Sequence, residues 1–187
     1  MILRKANSSD VATAANLMRA AYVMWEPIGF SVSSLTEIVV GSFFAQDGYV
    51  ATDSQGKAIG VFSINFKQPR INGQEMHVAR AHREDKTILL NPSITESLSG
   101  KRCAYLYSLA VEPAFSRVGI GRKCLEFAQD EALRHQCDGL LLETGERGAW
   151  LVDWYRRSGF QLIGNFTRNS QPLVFMLKDL TKRRASA

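Results

Sequence analysis

Apolar and polar positions along the chain follow two different periods, and these predict where helices and strands lie. Helical spacing of apolar residues runs through residues 11–22 and again after Ser34, which indicates two amphipathic helices. We expect Ser9 or Asp10 to cap the first of them. The second helix is expected to turn four apolar residues inward: Leu35, Ile38, Val39 and Phe43.

Segments rich in β-branched and aromatic residues predict strands over residues 2–6, 49–52 and 58–66. The last two are joined by Asp53-Ser-Gln-Gly56, which is typical of a hairpin turn. The second half of the chain continues with elements predicted over residues 104–111 (strand), 121–136 (helix), 139–144 (strand), 149–157 (helix), 160–165 (strand) and 173–177 (strand). This order predicts an α/β protein of the α+β kind, with a mixed sheet flanked by helices.

Residues 67–102 show no sustained period, and we expect an insertion there that is partly ordered at best. A length of 187 residues with 45% hydrophobic and 22% charged residues suits one globular domain over residues 1–187, ending in a basic tail over residues 178–187. No apolar run approaches the roughly 18 residues that span a bilayer, and no secretory signal core is visible. Cys103, Cys124 and Cys137 are interpreted as buried thiols of a reduced compartment, so we expect a cytoplasmic protein with no metal site.

A formal charge of +5 favours an anionic ligand, either nucleic acid or a phosphorylated cofactor. Nucleic acid is the less favoured of the two, because no platform of interleaved aromatic and basic residues is visible. The better candidate site is Gly119-Ile-Gly121 at the start of a predicted helix, with Arg117 and Arg122 beside it. Free amides at a helix N-terminus, glycines that allow close approach and flanking arginines together indicate a phosphate site.

Two motifs in the second half of the chain resemble those of the GNAT superfamily of N-acetyltransferases. One is Ala110-Val-Glu-Pro113 followed by the glycine-bearing loop, and the other is Trp154-Tyr-Arg-Arg-Ser-Gly-Phe160. The resemblance implies the acyl-CoA N-acyltransferase fold, with helices on both faces of a twisted mixed sheet. It also implies acetyl-CoA as co-substrate, without a metal.

The resemblance implies a set of cofactor-binding residues on the strand and the loop. These are Leu109, Ala110, Val111, Ser116, Arg117, Val118, Gly119, Ile120, Gly121 and Arg122. Two positions depart from the family pattern: Ser116 stands where an arginine or glutamine is usual, and Gly148 where an asparagine is common.

The resemblance also implies Tyr155 as the general acid, since it matches the family tyrosine, although it is alternatively a packing aromatic. Glu143, twelve residues earlier, is the matching candidate for the general base, and a structural role is its alternative. The histone-acetylating branch has its glutamate at the position of Tyr105, so that base is absent. Minor candidates for the base lie in the insertion: Glu75, His77 and His82.

The predicted activity is transfer of the acetyl group of acetyl-CoA directly to an amine of a small molecule, peptide or protein. Its alternative is a CoA-binding or sensory module with little catalytic activity. The acceptor is expected to contact the loop around residues 25–30 and the insertion. Tyr22, Trp25 and Phe30 are candidates for lining its pocket and are alternatively core aromatics under a loop, and Glu26 is a candidate partner for a cationic amine. A homodimer is possible, and no membrane partner is expected.

Overall fold

The computed structural model describes residues 1–28, 32–67, 70–72, 75–78, 86–89, 92–168 and 171–181. Its α-helices are α1 (Val11–Tyr22), α2 (Glu37–Asp47), α3 (Pro92–Leu98), α4 (Ile120–Arg134) and α5 (Ala149–Arg157). Its strands are β1 (Ile2–Lys5), β2 (Gly48–Thr52), β3 (Ala58–Asn65), β4 (Arg70–Asn72), β5 (Glu75–Val78), β6 (Lys86–Leu89), β7 (Cys103–Val111), β8 (Gly139–Gly145), β9 (Gln161–Arg168) and β10 (Gln171–Asp179).

Seven strands form one sheet in the order β1-β2-β3-β7-β8-β10-β9. Within it, β1 pairs antiparallel with β2, β2 with β3, β8 with β10, and β10 with β9. The strands β4, β5 and β6 form a separate antiparallel sheet. The α+β fold with a mixed sheet and helices, predicted from the sequence, is therefore confirmed.

The chain divides into two compact units, of which the first comprises Met1–Ile64 and Leu106–Ala128. Its hairpin of β2 and β3 forms as predicted, because Asp53 Oδ1 accepts hydrogen bonds from the amides of Gln55 (2.9 Å) and Lys57 (3.0 Å). The rings of Tyr49 and Phe62 stack at 5.2 Å between centroids. The core of this unit is apolar, and its most deeply buried members include Met18, Val40, Phe44, Val61, Phe62 and Cys124.

The second unit comprises Asn65–Tyr105 and Gln129–Ala187. Its central pair, β8 and β10, keeps an unbroken register from Gly145 opposite Leu173 to Gly139 opposite Asp179. The α5 helix ends as the sequence predicts, because Gly159 adopts a φ of +88° directly after it. Lys178 Nζ then donates a 2.7 Å hydrogen bond to the carbonyl of Ser158 and so covers this helix end.

The ends and inner faces of the first two helices differ from the prediction. Asp10 occupies the N-cap position of α1 as predicted, but its side chain makes no capping hydrogen bond to that helix. It accepts the Asn7 amide at 2.9 Å in the short turn before α1, where Asn7 Oδ1 accepts the Ser9 amide at 2.9 Å. Thr36 caps α2, so this helix starts later than the Ser33-Ser34 pair suggested. The inner face also differs from the prediction: Ile38 is 87% exposed, whereas Val40 and Phe44 are fully buried.

The segment expected to be an insertion, partly ordered at best, holds β4, β5, β6 and α3 among its described residues, and none of these elements was predicted. Its strands are only three or four residues long, too short for a period to stand out in the sequence. All three cysteines are buried, as expected, and none of them forms a disulfide with a described residue. In the described part of the chain, no helix has the length and apolar character needed to cross a bilayer.

Candidate active site

In the loop between β7 and α4, left-handed residues alternate with residues whose φ is not positive. Arg117 (φ +64°) and Gly119 (φ +89°) are left-handed, whereas Val118 and Ile120 are not among the described residues with positive φ. Such alternation turns successive amides toward one concave side, where an anion binds. We call residues 117–122 the phosphate loop.

The amides of the phosphate loop are available to a ligand. From Arg117 to Arg122, none donates a hydrogen bond to any residue that the structure describes. A Cβ placed on Gly119 would meet no atom within 4 Å, so the space above it is open. Ser116 differs, because its amide already donates to the Pro113 carbonyl at 3.1 Å, which leaves only its exposed hydroxyl for a ligand.

The start of α4 is held against β3 by a close approach at Gly60. A Cβ added there would lie 3.2 Å from Ile120 Cγ2 and 3.5 Å from Cys124 Sγ. A larger side chain at this position would therefore push the N-terminus of α4 away from the strand. Gly60 thus allows the start of α4, which carries the end of the phosphate loop, to pack closely on β3. The sequence pattern did not indicate this role.

The cations on or beside the phosphate loop include Arg117, Arg122 and Lys57. Arg117 is exposed, and Arg122 Nε forms an exposed ion pair with Glu126 Oε1 at 3.1 Å. Lys57 Nζ lies 5.8 Å from the ring centroid of Phe115, just before the loop. Lys57 was missed by the sequence analysis, because it comes from the β2–β3 turn and no motif connects it with residue 115.

The last part of β7 is interrupted by a left-handed residue, Ser108, with a φ of +56°. The next residue, Leu109, accepts a 3.0 Å hydrogen bond on its carbonyl from the hydroxyl of Tyr22 at the end of α1. Beyond it, the Glu112 amide donates to the Ile59 carbonyl on β3 at 3.0 Å. Three strand residues are predicted to bind the cofactor: Leu109, Ala110 and Val111. They therefore lie between the left-handed Ser108 and the hydrogen bond that joins Glu112 to β3.

Tyr155 lies on the inner side of α5 and is only 6% exposed. Its ring packs against Trp154 at 4.8 Å and edge-on against Phe160 at 5.7 Å between centroids. Burial raises the pKa of this phenol well above its ordinary value, because the charged phenolate is poorly solvated there. No hydrogen bond joins its hydroxyl to any of the described residues.

Glu143 projects from the other face of the sheet. It lies directly opposite Phe175 on β10, and opposed residues share a face. The opposite face of the sheet carries Val174 and Lys178. Val174 lines a groove together with residues of α5, and Lys178 Nζ donates a hydrogen bond to the carbonyl of Ser158, the residue that follows α5. Because side chains alternate along a strand, α5 with Tyr155 packs on one face and Glu143 lies on the other, with its Oε2 atom buried.

Gly148 is the residue before α5, and its position provides no side-chain cap for the helix. The missing asparagine thus leaves the first turn of α5 without the hydrogen bond that such a side chain would make. A groove of about 240 Å³ lies between this helix and the strands β9 and β10. None of the predicted site residues is among those that line it, which include Glu146, Asp153, Arg156 and Leu162.

The remaining candidates contribute little to the described site. Glu26 is exposed in the short helical segment after α1, and Glu75 and His77 lie on β5. Phe30 and His82 lie outside the described residues, as does the side chain of Trp25. No group of three or more potential metal ligands occurs within the described ranges.

Comparison with protein families gives a match over most of the chain. The sequence profile described as the acetyltransferase (GNAT) family matches residues 16–160. This span contains α4, β8 and α5 together with the phosphate loop. No match was found among curated protein sequences.

Solved structures of similar fold cover nearly the whole chain at low sequence identity. The ribosomal-protein-S18-alanine N-acetyltransferase of Escherichia coli is 15% identical, with a TM-score of 0.60 over 95% of this chain and 92% of its own. A GNAT-family acetyltransferase of Listeria monocytogenes is 19% identical, with a TM-score of 0.62 over 96% and 94%. The PaiA N-acetyltransferase of Thermoplasma acidophilum, solved in complex with coenzyme A, is 15% identical, with a TM-score of 0.60 over 95% and 98%.

Proposed function

Because this chain belongs to the GNAT family of acetyltransferases, we propose that it transfers the acetyl group of acetyl-CoA directly to an amine. The observation that carries the proposal is the phosphate loop, with its alternating backbone and its six amides without a partner among the described residues. A bound phosphate needs several donors and positive charge. A helix N-terminus with arginines beside it supplies both.

The cofactor-binding residues divide between the loop and the strand. We assign the phosphates of acetyl-CoA to the amides of residues 117–122, the hydroxyl of Ser116 and the guanidinium groups of Arg117 and Arg122. The pantetheine arm is assigned to the backbone of Leu109, Ala110 and Val111. Glu126 competes for Arg122 through their ion pair, although an exposed pair of this kind contributes only about 0–1 kcal/mol and yields readily to a phosphate.

In the proposed reaction, the amine nitrogen attacks the carbonyl carbon of the thioester. The new C–N bond forms, the C–S bond breaks, and the electron pair of that bond leaves on sulfur as a thiolate. One proton must leave the amine and one must reach the thiolate. These two transfers are the steps for which side chains are needed.

Tyr155 is proposed to protonate the thiolate. Its raised pKa keeps the phenol protonated at neutral pH, so the proton is available when the thiolate departs. The raised pKa also makes the phenol a weaker acid. The same low-dielectric surroundings raise the proton affinity of a thiolate formed beside it, however, which offsets that weakness.

Glu143 is proposed to accept the proton of the amine through a water molecule. Its position on the face opposite α5 separates the base from the acid. The three cysteines are buried and form no disulfide with a described residue, which fits a reducing compartment such as the cytoplasm. Dimer formation stays a prediction.

The proposal is tested by measuring release of free CoA thiol from acetyl-CoA with polyamines, simple amines and peptides with free N-termini. Turnover that depends on one amine class supports acetyl transfer and names the acceptor. Binding of acetyl-CoA without turnover on any amine would support the sensory module, in which Ser116 and Gly148 reflect lost catalysis. Absence of both binding and turnover would contradict the proposal.

A further inference from the structure

The Tyr22 hydroxyl and the irregular end of β7 point to a residue role that neither family motif contains. We propose that Tyr22 is a positioning residue, whose hydroxyl holds the Leu109 peptide group so that the neighbouring amides of β7 polarise the thioester carbonyl. This inference rests on the proposed function. It adds a residue from α1, which lies far from both motifs in the sequence.

The contact itself is well defined within the first unit. Tyr22 is the last residue of α1 and is half-buried, and its hydroxyl donates to the Leu109 carbonyl at 3.0 Å across 87 residues of sequence. Leu109 directly follows Ser108, whose φ of +56° costs roughly 1–2 kcal/mol for a residue with a side chain. On the other side of Ser108, the Tyr107 hydroxyl donates to Asp47 Oδ2 at 2.8 Å. Hydrogen bonds on both sides thus hold the strained residue in place.

The direction of the peptide groups follows from the pairing of Glu112. Its amide donates to Ile59 and therefore points toward β3. In an extended strand, the N–H and C=O of one residue point to one edge, and those of the next residue point to the other. The polar groups of Leu109 and Val111 consequently lie on the edge away from β3, and the Tyr22 hydroxyl reaches Leu109 on that edge.

This placement has an electrostatic consequence. Negative charge develops on the thioester oxygen during attack, so backbone N–H groups on this edge stabilise it, whereas a carbonyl oxygen repels it. The hydrogen bond from Tyr22 reduces the negative potential of the Leu109 carbonyl. Because the peptide group is planar, the same bond also fixes the orientation of the Ala110 amide and of the chain that leads to Val111.

The test is the Tyr22→Phe variant, which retains the ring and removes the donor. Isotope-edited infrared spectra of bound acetyl-CoA with a ¹³C-labelled acetyl carbonyl report its polarisation directly. In Tyr22→Phe the band should move to higher wavenumber than in the unmodified protein. The kcat should fall about 10-fold, a smaller loss than the 10²-fold or more for removing a direct donor, while KM for acetyl-CoA stays within about twofold.

Tyr49→Phe is the matched control, since it also removes a hydroxyl from the first unit while the stack on Phe62 remains. It should leave both the band and kcat unchanged. An unshifted band with unchanged kcat in Tyr22→Phe would overturn the inference while leaving the proposed function intact. If the unmodified protein does not bind acetyl-CoA, the proposed function fails and this inference fails with it.

If Tyr22→Phe does not fold, a second replacement at this position tests the same hydrogen bond. 3-Fluorotyrosine at position 22 retains the size and the hydroxyl but is a stronger donor. The carbonyl band should then move to lower wavenumber. An unshifted band would overturn the inference in the same way.

Discussion

Glu143 on β8 lies directly opposite Phe175 on β10, which places its side chain on the face of the sheet away from α5 and Tyr155. The alternation of apolar and polar residues along β8 does not show that Glu143 and Tyr155 lie on different faces of the sheet, because both residues belong to well-packed elements. The register of β8 and β10 does show it. Val174 lines a groove with residues of α5, and Lys178 bonds to Ser158 just after α5, so these two strand residues lie on the face that carries the helix. The proposed acid and base are therefore set on opposite sides of one strand pair.

Replacing Tyr155 by phenylalanine tests the acid. The change removes only the hydroxyl and retains the packing against Trp154 and Phe160. We expect kcat to fall by roughly 10²-fold or more, with acetyl-CoA affinity nearly unchanged in a calorimetric titration. Tyr105→Phe is the control, because Tyr105 is equally buried and stacks on Phe175. Equal turnover in Tyr155→Phe and the unmodified protein would remove Tyr155 from the mechanism.

Replacing Glu143 by glutamine tests the base. The amide keeps the shape of the side chain but accepts a proton far less readily, so we expect kcat to fall by roughly 10²-fold. The measurement is steady-state turnover with the best amine from the panel. Glu146→Gln is the control, because Glu146 is an exposed carboxylate just after β8. A loss of stability without a loss of turnover would show that Glu143 is structural.

Replacing Gly119 by glutamate tests the phosphate loop. The side chain would occupy the open space at this position and add a negative charge beside the bound phosphates, so acetyl-CoA affinity should weaken beyond about 1 mM. Gly56→Glu is a close control, since Gly56 has a similar φ of +81° against +89° at Gly119, and both positions are open. Retained affinity in Gly119→Glu would refute the placement of the phosphates.

The buried thiols predict a loss of stability at alkaline pH. Burial raises the pKa of Cys103 and of Cys124 to about 12. Unfolded thiols lose their protons near pH 8.5, so the unfolded state is stabilised relative to the folded state as the pH rises between the two values. The free energy of unfolding should then fall by up to about 1.4 kcal/mol per pH unit for each thiol.

Urea unfolding at pH 8 and pH 10 measures this slope. Cys124→Ala removes one of the two groups and should make the slope shallower, even though it also lowers stability at both pH values. A slope that is the same in Cys124→Ala as in the unmodified protein would contradict the assignment to the thiols.

The fold was predictable where long elements carry a strong pattern. The run β7, α4, β8 and α5 has clear apolar periods and glycine stops, and its order was predicted correctly. The short strands β4, β5 and β6 were missed, since three or four residues are too few to show a period. Ile38 was misplaced because apolar residues stand on several sides of α2, so their spacing alone does not show which side faces inward.

The candidate site was predictable only where it depends on local sequence. Gly119 and Gly121 at a helix start were recognisable from the sequence. The left-handed Ser108 and the contact of Tyr22 with Leu109 were not, because tertiary packing imposes them on residues that are ordinary in the sequence. Lys57 beside Phe115 was missed for the same reason.

The most direct test of the central claim is calorimetric titration of acetyl-CoA into the purified protein, with dephospho-CoA as the comparison ligand. We predict micromolar affinity for acetyl-CoA and weaker binding of dephospho-CoA, because the phosphate loop and its arginines hold the phosphates. Absence of detectable heat at about 1 mM acetyl-CoA, a free energy of only about −4 kcal/mol, would contradict the claim that this fold binds the cofactor.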